Sequence, residues 1–106
     1  MLFDARTIDR DGWTVVSVVG EIDLATLTTL RQELIRAEGP CVALDLSSVD
    51  YVDPVTLGVV IAGALRVDRR GGRFTVVCPP GGVRDLLAET RIDQILDVTE
   101  RLTAVT

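Results

Sequence analysis

The chain has 106 residues, of which 47% are hydrophobic and 4% aromatic, and it carries a formal net charge of −5. This length suits one hydrophobic core, so we expect a single domain over residues 1–106. The acidic balance opposes nucleic-acid binding. Because the chain has no histidine and only two cysteines, its composition also opposes a metal or another cofactor that needs such ligands.

A β-hairpin is predicted at the start of the chain. Residues 2–8 and 13–19 are short apolar-rich segments, and the Asp11-Gly12 pair between them is a strong signal for a tight turn. In the second segment both alternating sets of positions are largely apolar, which predicts a strand covered on both faces.

The first helix is predicted over residues 24–37, where leucine and isoleucine recur at spacings of three and four. The sequence Gly-Glu-Ile-Asp at residues 20–23 is expected to break the preceding strand, with Asp23 as the N-cap of the helix. The Gly39-Pro40 pair is expected to end it.

A central strand and a second helix are predicted next. Residues 41–46 form a continuous apolar run typical of a buried parallel strand, and residues 47–52 are predicted to be a loop. Asp53 as N-cap and Pro54 at the first helical position then predict a helix over residues 54–69, because proline has no amide hydrogen to lose there and its φ already suits a helix.

The last third of the chain continues the alternation of strands and helices. We predict a strand over residues 73–78, a helix over 83–90, a short strand over 94–98 and a partial helical turn over 99–105. The complete order, β-β-α-β-α-β-α-β, predicts an α/β fold with a mixed, mostly parallel sheet of about five strands.

The two cysteines are predicted to lie at opposite ends of the sheet. Cys41 opens one strand and Cys78 closes a parallel neighbour, which separates them by roughly 15 Å at about 3.3 Å per residue. Since a disulfide spans at most about 7 Å between Cα atoms, we expect two free thiols.

Three passages together resemble the STAS domain of bacterial anti-sigma factor antagonists. They are Gly-Glu-Ile-Asp at residues 20–23, Leu-Asp-Leu-Ser at 44–47 and Asp-Pro-Val-Thr-Leu-Gly-Val at 53–59. The resemblance implies a STAS-like fold with three to four helices and no enzymatic activity or cofactor. It also implies a transcription regulator that binds a kinase-type anti-sigma factor, with a histidine-kinase-like ATPase fold, and so releases a sigma factor.

The chain departs from the family pattern at the start of the second helix. The family usually has Asp-Ser-Ser-Gly-Leu-Gly there, and the partner kinase phosphorylates the first serine. Asp53, Leu57 and Gly58 match, but Pro54 occupies the phosphoserine position and has no hydroxyl. Two interpretations stay open: a constitutive antagonist, or Thr56 as a substitute phosphate acceptor, although Thr56 is displaced by about 200° around the helix.

The resemblance places partner binding at the start of the second helix and the bend before the first. Acidic side chains beside apolar ones suit a basic partner surface. The simpler interpretation is that Asp23 and Asp53 only cap helices, while Tyr51 and Val52 only close the edge of the core. The predicted partner-binding residues are Glu21, Ile22, Asp23, Asp50, Asp53, Pro54, Val55, Thr56, Leu57 and Gly58.

Other functions also stay open. One is the STAS subunit of a lipid or solute ABC transporter, and another is a subunit of a stress-signalling scaffold or a sensor working through Cys41 or Cys78.

The longest nearly apolar stretch, residues 57–65, is shorter than the about 18 residues that cross a bilayer, and residues 1–6 do not resemble a signal peptide. We therefore expect a cytoplasmic monomer that makes no membrane contact. No general-base histidine and no lysine-bearing glycine loop supports catalysis.

Overall fold

The computed structural model describes residues 3–105, which contain one five-stranded sheet with strands in the order β1-β2-β3-β4-β5. β1 and β2 are antiparallel, and the three remaining neighbouring pairs are parallel, which confirms the mixed α/β sheet. The strands are β1 (Asp4–Arg10), β2 (Trp13–Ile22), β3 (Cys41–Val52), β4 (Arg73–Val77) and β5 (Asp97–Thr99).

The hairpin forms where the sequence predicts it. Asp11 and Gly12 join β1 to β2 with positive φ angles of 54° and 89°, as a two-residue type I′ turn requires. The predicted first strand began at Leu2, which lies outside the described residues, and the strand within them starts at Asp4 and extends to Arg10.

The three α-helices pack on a single face of the sheet. Leucines from each helix share one buried cluster with valines and leucines of β2, β3 and β4. The helices are α1 (Leu27–Arg36), α2 (Leu57–Arg69) and α3 (Gly82–Glu89), and short 3-10 turns occupy Pro54–Thr56 and Ile92–Gln94.

The opposite face of the sheet is covered by the end of the chain instead of by a helix. Trp13, buried at the start of β2, donates a hydrogen bond from Nε1 to the carbonyl oxygen of Thr103 at 2.7 Å. Leu102 and Val105 pack on the same small cluster. The predicted helical turn over residues 99–105 is therefore wrong, because the spaced apolar side chains of this segment cover the sheet.

Strands β2 and β3 continue past their predicted ends. The bend at residues 20–23 was expected to break β2, and residues 47–52 were expected to be a loop, but β2 extends to Ile22 and β3 to Val52. Register shifts after Ser17 and Gly20 place two additional residues in β3, which hides the period of two.

The first helix begins later than predicted. Asp23 Oδ1 accepts the amide hydrogens of Ala25 at 2.9 Å and Thr26 at 3.1 Å, so Asp23 caps a turn that precedes α1. The helix itself starts at Leu27, and the N-cap position is Thr26. The prediction of Asp23 as N-cap is thus wrong in position by three residues.

The cysteines lie at opposite ends of the sheet, as predicted. Cys41 pairs with Arg73 at the beginning of β4, whereas Cys78 follows Val77 at its end. Both thiols are free.

Candidate partner-binding site

The two segments predicted to bind a partner are adjacent. They lie at the end of the sheet that is formed by the carboxyl ends of the parallel strands. Glu21 pairs with Tyr51 and Ile22 with Val52 across β2 and β3. The amide of Asp53 then donates a hydrogen bond of 2.8 Å to the carbonyl oxygen of Ile22. The ends of the two strands therefore position the bend beside the start of α2.

The start of α2 is fixed by the Asp53-Pro54 pair, as the sequence predicts. Asp53 is extended, and its Oδ1 accepts the amide hydrogen of Val55 at 3.1 Å. Its carbonyl oxygen accepts the amide hydrogen of Thr56 at 2.9 Å. Pro54 begins a 3-10 turn that leads into α2 at Leu57, so the first turn is tighter than an α-helix.

Apolar side chains are exposed at this edge. Val55 is 67% exposed and Leu24, in the turn after Asp23, is 69% exposed. Tyr51 is 49% exposed, whereas its neighbour Val52 is buried as expected. The sequence predicted Leu24 on one face of the first helix and favoured Tyr51 at the edge of the core over the partner surface, whereas both side chains are exposed.

Three of the predicted contact residues belong to the core. Ile22 is 1% exposed, Leu57 is 5% exposed and both join the main apolar cluster. Thr56 is completely buried, and its Oγ1 donates a hydrogen bond of 2.7 Å to the carbonyl oxygen of Asp53. In this conformation the Thr56 hydroxyl is inaccessible to a kinase, and none of the three side chains can contact a docked protein.

The remaining predicted residues form what we call the carboxyl-edge surface, together with Leu24 and Tyr51. Asp50, Pro54, Val55 and Gly58 are exposed, while Glu21, Asp23 and Asp53 are half-buried. Within residues 3–105 the salt bridges are Arg6 to Asp4 and Arg36 to Glu33, so none of the four carboxylates of this surface is paired with an arginine. The surface is acidic around exposed apolar side chains.

The neighbouring strand end carries a buried thiol, that of Cys78. Burial raises the pKa of the Cys78 thiol, Arg84 opposes this effect and Asp45 adds to it.

In the part of the chain that the structure describes, no three acidic or cysteine side chains are grouped to hold a metal ion. No helix of residues 3–105 has the length and apolarity to cross a membrane.

Comparison with known proteins identifies the family. Residues 7–99 match the family described as Mlab, STAS domain. The chain belongs to the STAS-domain family. That match includes the whole carboxyl-edge surface, so its exposed apolar side chains and its carboxylates lie inside the STAS domain.

Among the solved structures similar to this STAS domain are anti-sigma factor antagonists. One from Mycobacterium paratuberculosis is 29% identical with a TM-score of 0.85, and the alignment covers 95% of this chain and 88% of that one. A putative antagonist from Thermotoga maritima is 20% identical with a TM-score of 0.79 over 94% and 87% of the two chains. The Bacillus cell fate determinant SpoIIAA in its phosphorylated form is 12% identical, with a TM-score of 0.65 over 94% and 93%.

Proposed function

We propose that this STAS domain is an anti-sigma factor antagonist, which binds a kinase-type anti-sigma factor and so releases a sigma factor. The observation that carries the proposal is the carboxyl-edge surface, where Val55 and Leu24 are about two-thirds exposed beside four carboxylates that form no salt bridge within residues 3–105. The antagonist from Mycobacterium paratuberculosis, similar over 95% of this chain, supports the same role.

The surface has the composition of a protein-binding site. Burying an apolar side chain as large as Val55 or Leu24 contributes roughly 1.5–3 kcal/mol of favourable free energy. A protein partner that covers these side chains gains this free energy on binding. The carboxylates around them attract a basic partner and increase its rate of association. No cofactor or catalytic group is needed for such a role, and we propose that the protein acts in the cytoplasm as a non-enzymatic monomer.

The binding is proposed to be independent of phosphorylation at the position that the family uses. Pro54 has no hydroxyl, and the Thr56 hydroxyl is buried in a hydrogen bond to Asp53. Phosphorylation of Thr56 would require the first turn of α2 to open. The interpretation as a constitutive antagonist therefore has more support than a Thr56 switch.

A second candidate is the STAS subunit of a lipid or solute ABC transporter. The same two observations favour it, because such a subunit needs no phosphorylation cycle and Pro54 and Thr56 offer no accessible acceptor at this site. The carboxyl-edge surface would then contact the transporter ATPase. The two candidates differ in the partner and not in the surface.

Binding to purified anti-sigma factors of the same cell tests the proposal. We expect wild-type protein to bind one of them in calorimetry and to displace its sigma factor on a sizing column. We expect Val55→Glu to weaken binding by about tenfold or more, because it removes an apolar contact and adds a fifth carboxylate. Binding to a transporter ATPase but to no anti-sigma factor would establish the second candidate instead.

Ile95→Glu is the matched control. Ile95 is also 67% exposed, but it precedes β5. It therefore lies at the other end of the sheet, near the amino ends of the parallel strands. We expect this variant to bind like the wild type. Equal loss of binding in both variants would mean that added charge, and not the carboxyl-edge surface, determines the affinity.

A further inference from the structure

A groove lies between the carboxyl-edge surface and α3. Its volume is about 390 Å³, within the range of about 300–1,000 Å³ of small-ligand pockets, so it can hold one or two long side chains. One wall consists of Asp50, Tyr51 and Pro54 at the end of β3 and the start of α2, and the other of Val83, Leu86 and Glu89 on α3.

The lining of the groove combines apolar side chains with two carboxylates. Val83 and Leu86 are half-buried and pack against the main core, so they present a fixed apolar surface. Asp50 and Glu89 are exposed carboxylates, and neither forms a salt bridge with an arginine within residues 3–105. Arg84 of α3 forms no salt bridge with either carboxylate within residues 3–105, and its Nη1 donates to the carbonyl oxygen of Cys78 at 2.7 Å.

We propose that this groove is a second part of the docking surface and receives an arginine side chain of the protein partner. This inference rests on the proposed function. The apolar stem of the arginine would lie on Val83 and Leu86, and its guanidinium group would bond to Asp50 and Glu89. The partly exposed ring of Tyr51, which also lines the groove, adds a face on which a guanidinium group can stack.

Arginine fits the groove better than the other candidates. A lysine ammonium is a compact and strongly hydrated charge, whereas the planar guanidinium group can donate to two separate carboxylates and is more easily desolvated. A purely apolar side chain would leave both carboxylates without a partner. Asp50, Tyr51 and Pro54 belong both to the groove and to the carboxyl-edge surface. One partner can therefore contact the surface and fill the groove at the same time.

The first test is the affinity of the anti-sigma factor for the double variant Asp50→Asn with Glu89→Gln. We expect binding about 3- to 30-fold weaker than wild type, with a smaller dependence on salt concentration. The control is Asp9→Asn with Asp11→Asn, which removes the same charge at the exposed hairpin at the other end of the sheet. We expect that control to bind within about twofold of wild type.

A second test needs no protein partner. An acetylated peptide with one arginine between alanines is titrated into ¹⁵N-labelled protein, and the same peptide with citrulline replacing arginine serves as the control. We expect saturable shifts of the Val83 and Leu86 amides with the arginine peptide and not with the citrulline peptide, even if no anti-sigma factor binds.

The outcomes separate the groove from the proposed function. If Val55→Glu abolishes binding to the anti-sigma factor while Asp50→Asn with Glu89→Gln binds like wild type, the groove proposal is wrong and the proposed function stands. The absence of peptide shifts would also refute the groove proposal. A wild-type dimer in sedimentation that the groove variant dissociates would assign the groove to a second copy of the chain, and would overturn the proposal as well.

Discussion

The amide of Asp53 donates a 2.8 Å hydrogen bond to the carbonyl oxygen of Ile22, and this bond joins the start of α2 to the end of β2. It lies directly beyond the last pairs between β2 and β3. The exposed tip around Val55 and the bend at Asp23 are consequently held as one surface. Because the bond is between main-chain atoms, side-chain substitutions at Asp53 test the helix cap separately.

Replacing Asp53 with alanine is expected to destabilise the protein by about 1 kcal/mol. The substitution removes the oxygen that accepts the amide hydrogen of Val55 at 3.1 Å. Asp53→Asn retains an amide oxygen and is expected to lose only a few tenths of that value. Urea denaturation of the three proteins measures the difference, and equal free energies of unfolding for wild type and Asp53→Ala would show that the cap does not contribute.

Replacing Gly58 with alanine is expected to separate stability from binding. Gly58 is exposed in the first turn of α2, and an added Cβ would meet no atom within 4 Å. Alanine in a helix is favoured over glycine by roughly 0.5–1 kcal/mol, so the variant should melt at a higher temperature. If a partner packs closely against this turn, the same methyl group weakens binding. A variant that is more stable and binds as tightly as wild type would remove Gly58 from the contact surface.

Restoring a serine at position 54 is expected to create a phosphate acceptor. Pro54 is exposed at the first helical position, and the N-terminal amides there favour a phosphate. After incubation with the proposed kinase-type anti-sigma factor and ATP, mass spectrometry should find phosphate on Pro54→Ser and none on wild type. Phosphate on Thr56 of the wild type would contradict the account, because its buried hydroxyl would then have to become accessible.

The Cys78 thiol is expected to lower stability in alkaline solution. Burial raises its pKa in the folded protein, so above about pH 8.5 the unfolded chain releases a proton that the folded protein retains. The free energy of unfolding should therefore fall as the pH rises past that value and be unaffected below it. Cys78→Ala should remove this part of the slope, whereas Cys41→Ala should retain it. Identical slopes in both variants would rule out the thiol as the cause.

The sequence predicted the parts of the fold that short-range chemistry determines. Asp11-Gly12 predicted the hairpin and Asp53-Pro54 the start of α2, because each pair restricts its own backbone. The continuation of β2 to Ile22 and β3 to Val52 was missed, since register shifts place additional residues in β3 and interrupt the alternation of apolar and polar positions. The helices on one face depend on contacts between distant segments, which no local pattern contains.

The structure brings the predicted site residues together, but some of their side chains point into the core. Pro54, Val55 and Gly58 are exposed as expected. Thr56 points inward from the 3-10 turn that precedes α2, and its hydroxyl donates to the carbonyl oxygen of Asp53. Leu24 was assigned to a helix face, but it lies in the turn that Asp23 caps.

The central claim is that the carboxyl-edge surface is where this STAS domain binds another protein. Amide hydrogen exchange of the protein alone and in complex with the proposed anti-sigma factor tests it most directly. We expect new protection at residues 21–24 and 50–58, with none at the hairpin turn of residues 9–12. Protection confined to the hairpin and the terminal segment, with residues 50–58 exchanging as in the free protein, would contradict the account.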